Sequence, residues 1–356
     1  MSTRIKGKKV AVAMSGGVDS CVAAFLLQRQ GLEVVGLNMY LGQTAAETSG
    51  AERAARGLGI ELHRVNMEGI FEKEVIEVFI REYLSGRTPN PCVLCNQRIK
   101  FQALWQKAQE LGACALATGH YARIERSPDS SASRLLRGLD PAKDQSYFLF
   151  TMTQQQLGRT LFPLGNMKKS EVKQLAITEG IPARERSESQ DLCFIREKNH
   201  KDFIRTRVPE RVLQPGEIVD EQGRALGKHQ GIFCYTVGQR KGLGDLKGKG
   251  YYVLTIRPEQ NQVVVGHKSA LLKEDMRLRE IHWISDEAHP GINSDESGGE
   301  LQVQIRYNSP PARALVRTIM DGNAHVKFFE PQAAITPGQA AVFFRGQEVL
   351  GGGWIA

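Results

Sequence analysis

The stretch PNPCVLCNQRIKF, residues 89–101, places Cys92 and Cys95 two residues apart in a chain that has only six cysteines. Thiols at this spacing can form half of a zinc site, a redox pair, part of a metal–sulfur site or a nucleophile. The other four, Cys21, Cys114, Cys193 and Cys234, are too sparse and irregular for a secreted disulfide framework. In a reducing compartment, grouped cysteines point to metal binding or catalysis. Cys21 and Cys114 lie in apolar surroundings and read as buried small hydrophobes, and Cys234 beside Tyr235 reads as structural.

A second chemical signal is VAVAMSGGVDS, residues 10–20. A buried strand ends at Met14, Ser15, Gly16 and Gly17 make a tight turn, and a helix starts near Asp19 and Ser20. Glycines let backbone N–H groups approach a ligand, the helix N-terminus adds partial positive charge, and the two serines add hydroxyls. This is phosphate chemistry. Asp19 is out of place in a pure anion site and fits if Mg²⁺ lies between it and the phosphate. The loop carries no closing lysine, so it is not a Walker A motif, and its spacing is wrong for a dinucleotide fingerprint. The plain alternative is an ordinary strand-to-helix turn capped by Asp and Ser.

The elements that must position these residues alternate over the first half. KKVAVAM, LEVVGLNMYL, ELHRVNM and ACALATGHYA read as strands. SCVAAFLLQRQG, AERAARGLGI, FEKEVIEVFIREYLSG and FQALWQKAQELG read as helices. This rhythm predicts a doubly wound parallel sheet. After about residue 200 the chain turns rich in Gly and charge. From about 251 it shows short alternating segments separated by Gly, Pro and Asn, which reads as all-β, a small barrel or sandwich. GQRKGLGDLKGKG, at 238–250, is a basic loop suited to RNA backbone or simply to solvent, and 284–300 is a polar loop.

At 356 residues, 41% of them hydrophobic, the chain should hold two or three domains with real cores. The net charge of +8 suits a polyanionic partner and is also compatible with an ordinary solvated surface. No apolar run reaches membrane-span length, and the N-terminus is basic and then strand-like rather than signal-like, so a cytoplasmic protein without a membrane partner is expected.

Several stretches together carry a resemblance: SGGVDS, GRTPNPCVLCNQRIKF, ATGHYAR, LLRGLDPAKDQSYFL, LFPLG, SQDLCFI, GKHQGIFCYTVGQRKGLG and TPGQAAVFFRGQEVLGGGWI. In order and spacing the chain resembles the tRNA-specific 2-thiouridylase family, within the PP-loop ATP pyrophosphatase superfamily, over nearly its whole length. The resemblance implies an α/β PP-loop domain (adenine nucleotide alpha hydrolase-like, a doubly wound parallel sheet) over residues 1–202. A small central domain over 203–266 and a C-terminal β-barrel over 267–356 follow. It implies a sulfurtransferase that thiolates C2 of the wobble uridine of tRNAs of the Lys, Glu and Gln type. ATP would be consumed with Mg²⁺, and a cysteine desulfurase or sulfur-carrier protein would donate the sulfur. Carried over to this chain, Ala13, Met14, Ser15, Gly16, Gly17, Val18, Asp19, Ser20, Met39 and Gly119 match ATP contacts. Asn90, Pro91 and Cys92 match the segment at the target base. Cys95 matches the nucleophile, and Cys193 the persulfide carrier. A Cys95–Cys193 disulfide is implied as an intermediate in one route of sulfur transfer. His120, Lys143, Asp144, Gln145, Arg306, Tyr307 and Gln339 match positions that touch tRNA. Lys143 beside Tyr147 and Phe148 offers a cation near stackable rings, Asp144 and Gln145 can read base or ribose edges, and Arg306–Tyr307 pairs a cation with an aromatic. His229 in GKHQG, with no second ligand at metal spacing, reads as a turn residue or RNA contact.

The chain departs from the family pattern at Cys92, where aspartate is the better-known residue. Three readings of Cys92 stand. It is a neutral substitute or spare thiol; with Cys95 and Cys193 it ligates an iron–sulfur cluster with one open site; or it joins a zinc site. Two rival functions differ in class. A PP-loop ligase acting on a small molecule would need neither Cys95 nor Cys193, and a zinc-stabilised RNA-binding protein would release no pyrophosphate.

Overall fold

The computed structural model describes residues 8–43, 45–126, 132–183, 192–197, 199–243, 246, 250–285, 298–319 and 321–356, without the side chains of 45–48. Most of the polar loop at 284–300, part of the basic loop at 238–250 and residues 189–191 of SQDLCFI lie outside them. The chain forms two compact units. One comprises Met1–Val75, Cys92–Gln190 and Gly346–Leu350, and the other Ile76–Pro91, Asp191–Arg345 and Gly351–Ala356.

The first unit is built on strands β1 (Lys9–Ala13), β2 (Glu33–Tyr40), β3 (Glu61–Asn66), β4 (Ala115–Ala117) and β7 (Thr160–Leu161), ordered β3-β2-β1-β4-β7. Every pairing in this sheet is parallel. A parallel sheet is covered on both faces, so its central strands are largely apolar, as Val10–Ala13 of β1 are. The helices α1 (Val18–Arg29) and α2 (Ala45–Leu58) cover it. Ala23, Ala24, Ala54 and Ala55 are buried in this core, small enough for close helix–sheet approach. Gly31, at φ 76, stops α1 in the left-handed region. A hairpin of β5 (Ala122–Arg126) and β6 (Ser133–Arg137), not expected from the sequence, pairs with Glu348 and Val349 of the last strand.

Two helical stretches differ from expectation. Residues Glu72–Ile76 form a π-helical turn between α-helical neighbours. The helix expected from Phe101 begins at Pro91, with a ten-residue π segment, Cys95–Leu104, before α-helix resumes at Trp105. π turns are usually single and concentrate at functional positions, and this one starts at Cys95.

In the second unit, β8 (Gly216–Val219), β9 (Ala225–His229), β10 (Tyr252–Arg257) and β11 (Gln262–Gly266) form one sheet, ordered β10-β11-β8-β9. The alternating segments at 251–266 therefore pair with the Gly-rich central region rather than with the C-terminal strands, through the parallel β8–β11 ladder. The remaining strands are β12 (Leu272–Trp283), β13 (Gly299–Gln304), β14 (Ala312–Ile319), β15 (Asn323–Ala333), β16 (Ala340–Arg345) and β17 (Glu348–Ile355). They run β12-β15-β14-β13-β16-β17, and β17 also pairs with β12 through residues 351–355, which closes a barrel.

Candidate functional site

In the parallel sheet, β1 lies between β2 and β4, so the strand order reverses there. In open α/β sheets ligands bind beyond the carboxyl ends of the strands at such a reversal. Two loops leave the sheet at that point: 14–17 after β1, and 118–121 after β4.

The first loop is internally braced. Met14 N–H donates to Leu37 O (2.8 Å), and Asn38 Nδ2 donates to Met14 O (2.8 Å). Ser20 Oγ donates to Gly17 O (3.0 Å) and accepts from Ser15 N–H (3.2 Å). Gly16 has φ 79, and a Cβ there would lie 2.4 Å from Ala51 N, so both the conformation and the space demand glycine. The first turn of α1 keeps N–H groups without intrahelical acceptors, the kind of group that suits an anion.

The second loop closes on the first. A Cβ on Gly119 would stand 2.9 Å from Asp19 C and 3.0 Å from Ser20 N. The structure thus brings Gly119 against the loop of Ala13–Ser20. Met39, near the end of β2, is half-buried rather than a core residue.

Asp19 has a partner that sequence reasoning missed. Lys169 Nζ lies 2.6 and 2.7 Å from its two carboxylate oxygens, and Tyr121 Oη donates to Oδ1 (2.7 Å). Lys169 opens the helix Lys169–Thr178. Cations are unfavourable at a helix N-terminus, so Lys168–Lys169 at this start is the local irregularity that could have flagged it. Mg²⁺ is commonly held by one or two carboxylates plus substrate phosphates. Asp19 can supply that carboxylate once nucleotide supplies the rest, so the loop fits the ion.

His120, expected to touch tRNA, is buried here. Thr118 Oγ1 lies 2.7 Å from its Nδ1 and Lys100 Nζ 3.4 Å from its Nε2. Burial, helped by the Lys100 charge, holds the imidazole well below its ordinary pKa, so the ring is neutral. Asp144 is also inward. Its Oδ1 accepts from Gly138 N–H (2.9 Å) and Ser146 N–H (3.0 Å), and its Oδ2 takes Arg137 Nη1 (2.9 Å). These bonds brace the loop. Gln145 Oε1 accepts from Tyr121 N–H (3.1 Å), and Lys143 is half-buried.

Among the cysteines, Cys92 is exposed, Cys95 half-buried and Cys193 exposed; none of the six is in a disulfide. Cys95 begins the π segment, and the next residue, Asn96, donates from Nδ2 to Phe148 O (3.1 Å), which fixes the start of that helix. In the second unit, Ile195 N–H bonds Leu192 O (3.0 Å), a turn that carries Cys193 at its tip. Phe194 anchors that turn edge-on to Phe79 and Phe203, each at 5.3 Å between centroids. Cys21 is buried, and burial pushes its thiol up to about 11. Cys234 is buried too, but Cys114 is exposed, a correction. Its neighbours Ala113 and Ala115 are buried, while Cys114 itself lies in the bend just before β4, outside the strand. Among the described residues no three His, Cys, Asp or Glu side chains gather as a metal site, and nothing there supports the iron–sulfur or zinc reading.

Also in the second unit, Gln339 Nε2 donates to Thr88 O (3.0 Å) and Pro89 O (3.2 Å), and Thr88 N–H donates to Pro337 O (2.8 Å). Gln339 thus holds the backbone that leads into Asn90 and Pro91, which are both buried. Arg306 is exposed in the turn after β13, with Tyr307 half-buried beside it. His229 is a buried turn brace, 3.0 Å from Asn261 O and accepting from Gly231 N–H at 3.0 Å; the RNA-contact reading does not hold.

Three family models match consecutive stretches. They are the tRNA methyl transferase HUP domain over residues 8–197, its PRC-barrel domain over 201–267, and the aminomethyltransferase beta-barrel domain over 273–355. A tRNA-specific 2-thiouridylase MnmA of Geobacter metallireducens is 46% identical, covering 98% of this chain and 96% of the relative. One of Magnetococcus marinus is 46% identical with 98% and 99% covered, and one of Acidithiobacillus ferrooxidans is 42% identical with 98% of each covered. The likeness covers 98% of the chain, and the chain belongs to the tRNA-specific 2-thiouridylase family.

Proposed function

We propose that this chain catalyses the ATP-dependent 2-thiolation of the wobble uridine in tRNAs of the Lys, Glu and Gln type, in the cytoplasm. The observation that carries the reading is the braced Ser15–Ser20 loop at the strand-order reversal, with Gly119 seated against it. In this reading residues 1–202 carry the ATP chemistry, while 203–266 and 267–356 present the central and barrel domains to tRNA. Lys143, Arg306 and Tyr307 contact RNA, Gln145 and Asp144 shape the loop behind Lys143, and Gln339 sets the segment of Asn90, Pro91 and Cys92 at the target base.

Uridine C2 is a poor electrophile and its oxygen a poor leaving group. That oxygen attacks the α-phosphorus of ATP, the bond from phosphorus to the bridging oxygen breaks, and pyrophosphate leaves. The loop N–H groups of Gly16 to Asp19 stabilise the negative charge that develops on the phosphates. Mg²⁺, when bound, supplies further neutralisation of that charge, with Asp19 as its protein ligand. A persulfide on Cys193, loaded by a desulfurase or carrier protein, then delivers sulfur. In one route the terminal sulfur attacks C2 and the C2–O bond breaks with release of AMP. Cys95 thiolate then attacks the Cys193 sulfur, which leaves the outer sulfur on the base. In the other route Cys95 attacks first and frees hydrogen sulfide, which attacks C2. Either way a Cys95–Cys193 disulfide forms, and a thiol reductant must restore both thiols. The exposed turn tip at Cys193 favours loading by a protein donor.

The test is mass analysis of tRNA nucleosides from cells lacking the protein, with the purified protein assayed beside it. Loss of 2-thiouridine derivatives, and tRNA-stimulated formation of AMP and pyrophosphate, are expected. Intact 2-thiouridine levels, or ADP and phosphate as products, would refute the reading.

A further inference from the structure

We propose that Lys169 is a phosphate-contacting residue of the ATP site, and that its pairing with Asp19 is the nucleotide-free arrangement of that site. The inference rests on the reading that residues 13–20 bind ATP. The loop itself lacks the lysine that many phosphate loops carry at their end, yet a triphosphate brings several negative charges to it. The structure supplies an ammonium there from a segment 150 residues away.

Three features make Lys169 more than a surface counter-ion. Its side chain is only 16% exposed and lies along both oxygens of Asp19. Its ammonium sits 5.8 Å from the Tyr121 ring centroid, and the Tyr121 hydroxyl shares Asp19 Oδ1. Its own N–H donates to Asp140 Oδ2 (2.9 Å), which pins the helix start that carries it. The position is electrostatically unfavourable for the helix that bears the lysine. Asp19, in the first turn of α1, would sit comfortably against that helix dipole without any lysine. Neither helix explains the pair, but an incoming polyphosphate does. When nucleotide arrives with its divalent ion, Asp19 turns to the ion and Lys169 turns to the phosphate oxygens. Each group exchanges one opposite charge for another, so no largely buried charge is left unpaired at any stage.

The test is calorimetric ATP binding to the full chain as wild type, Lys169→Arg, Lys169→Met, Asp19→Asn and the double variant Asp19→Asn/Lys169→Met. Melting temperatures confirm folding, and the double variant leaves no orphaned charge. Lys169→Met is expected to weaken ATP binding about 10- to 100-fold, the range of a charge-assisted hydrogen bond, and Lys169→Arg to recover part of it. The double variant should bind ATP at least about tenfold more weakly than Asp19→Asn alone. If it binds as tightly as Asp19→Asn, Lys169 only neutralises Asp19 and the proposal falls. A wild-type protein that binds no ATP, with or without tRNA, overturns the ATP reading itself, a result distinct from the first.

Discussion

Gly119→Ala tests the seating of the second loop against the phosphate loop. The added methyl would meet Asp19 C at 2.9 Å, Asp19 Cβ at 3.0 Å and Ser20 N at 3.0 Å. Carbon contacts are comfortable from about 3.5 Å, so the two loops must part by about half an ångström. Two of the three atoms are backbone, and no flexible side-chain end can yield instead. Overpacking of this kind costs about 1–3 kcal/mol. Gly119 φ is not in the left-handed region, so the clash is the main term. The strain is relieved most readily by displacing the ligand-side loop. The expected result is therefore a KM for ATP raised about 10- to 100-fold, with a melting temperature lowered by only a few degrees, on the order of 2–4 °C per kcal/mol. The control is Gly158→Ala, where an added Cβ meets nothing within 4 Å. The assay is tRNA-stimulated pyrophosphate release against ATP concentration, with a thermal melt of each variant. Wild-type KM and kcat in Gly119→Ala, with an unchanged melt, would refute the placement of nucleotide between these loops.

Alanine at Cys193 or at Cys95 should stop thiolation while adenylation of tRNA continues, since ATP chemistry precedes sulfur transfer; full thiolation by Cys193→Ala with a persulfide donor would disprove the assignment. Cys92→Ala should retain most of the thiolation rate, and protein purified anaerobically should be colourless; a brown protein whose iron and activity both vanish with Cys92→Ala would establish a cluster instead. His120 is held neutral well below its ordinary 6.5, by burial first and then by Lys100. Below pH 6.5 the unfolded chain therefore binds a proton that the folded chain refuses, and stability falls as pH falls, by up to about 1.4 kcal/mol per pH unit. Urea melts from pH 7.5 down to about pH 5 should show a shallower acid loss in His120→Asn than in wild type; parallel curves would mean that the ring protonates in place.

The sequence by itself determined what is local. β1, the glycine turn and the start of α1 lie within twenty residues, and their apolar run, glycines and hydroxyls can be read without knowing the rest of the fold. The strand–helix rhythm was legible for the same reason: burial on both faces of a parallel sheet leaves continuous apolar runs. What joins distant segments left no periodic trace. The order β3-β2-β1-β4-β7 places 118–121 beside 14–20, and only that topology brings Tyr121, 102 residues from Asp19, and Lys169, 150 residues away, onto one carboxylate. Tertiary packing also set the orientation of several polar side chains. His120 and Asp144 are the residue types that touch RNA, yet both point inward, because buried backbone groups and a neighbouring cation must be satisfied. Cys114 is exposed between two buried alanines, in the bend just before β4, a position that apolar neighbours in sequence do not reveal. The π segment that starts at Cys95 is likewise a tertiary result: Asn96 is tied to Phe148 O from 52 residues away, and no helical propensity in CNQRIKFQAL calls for wider turns.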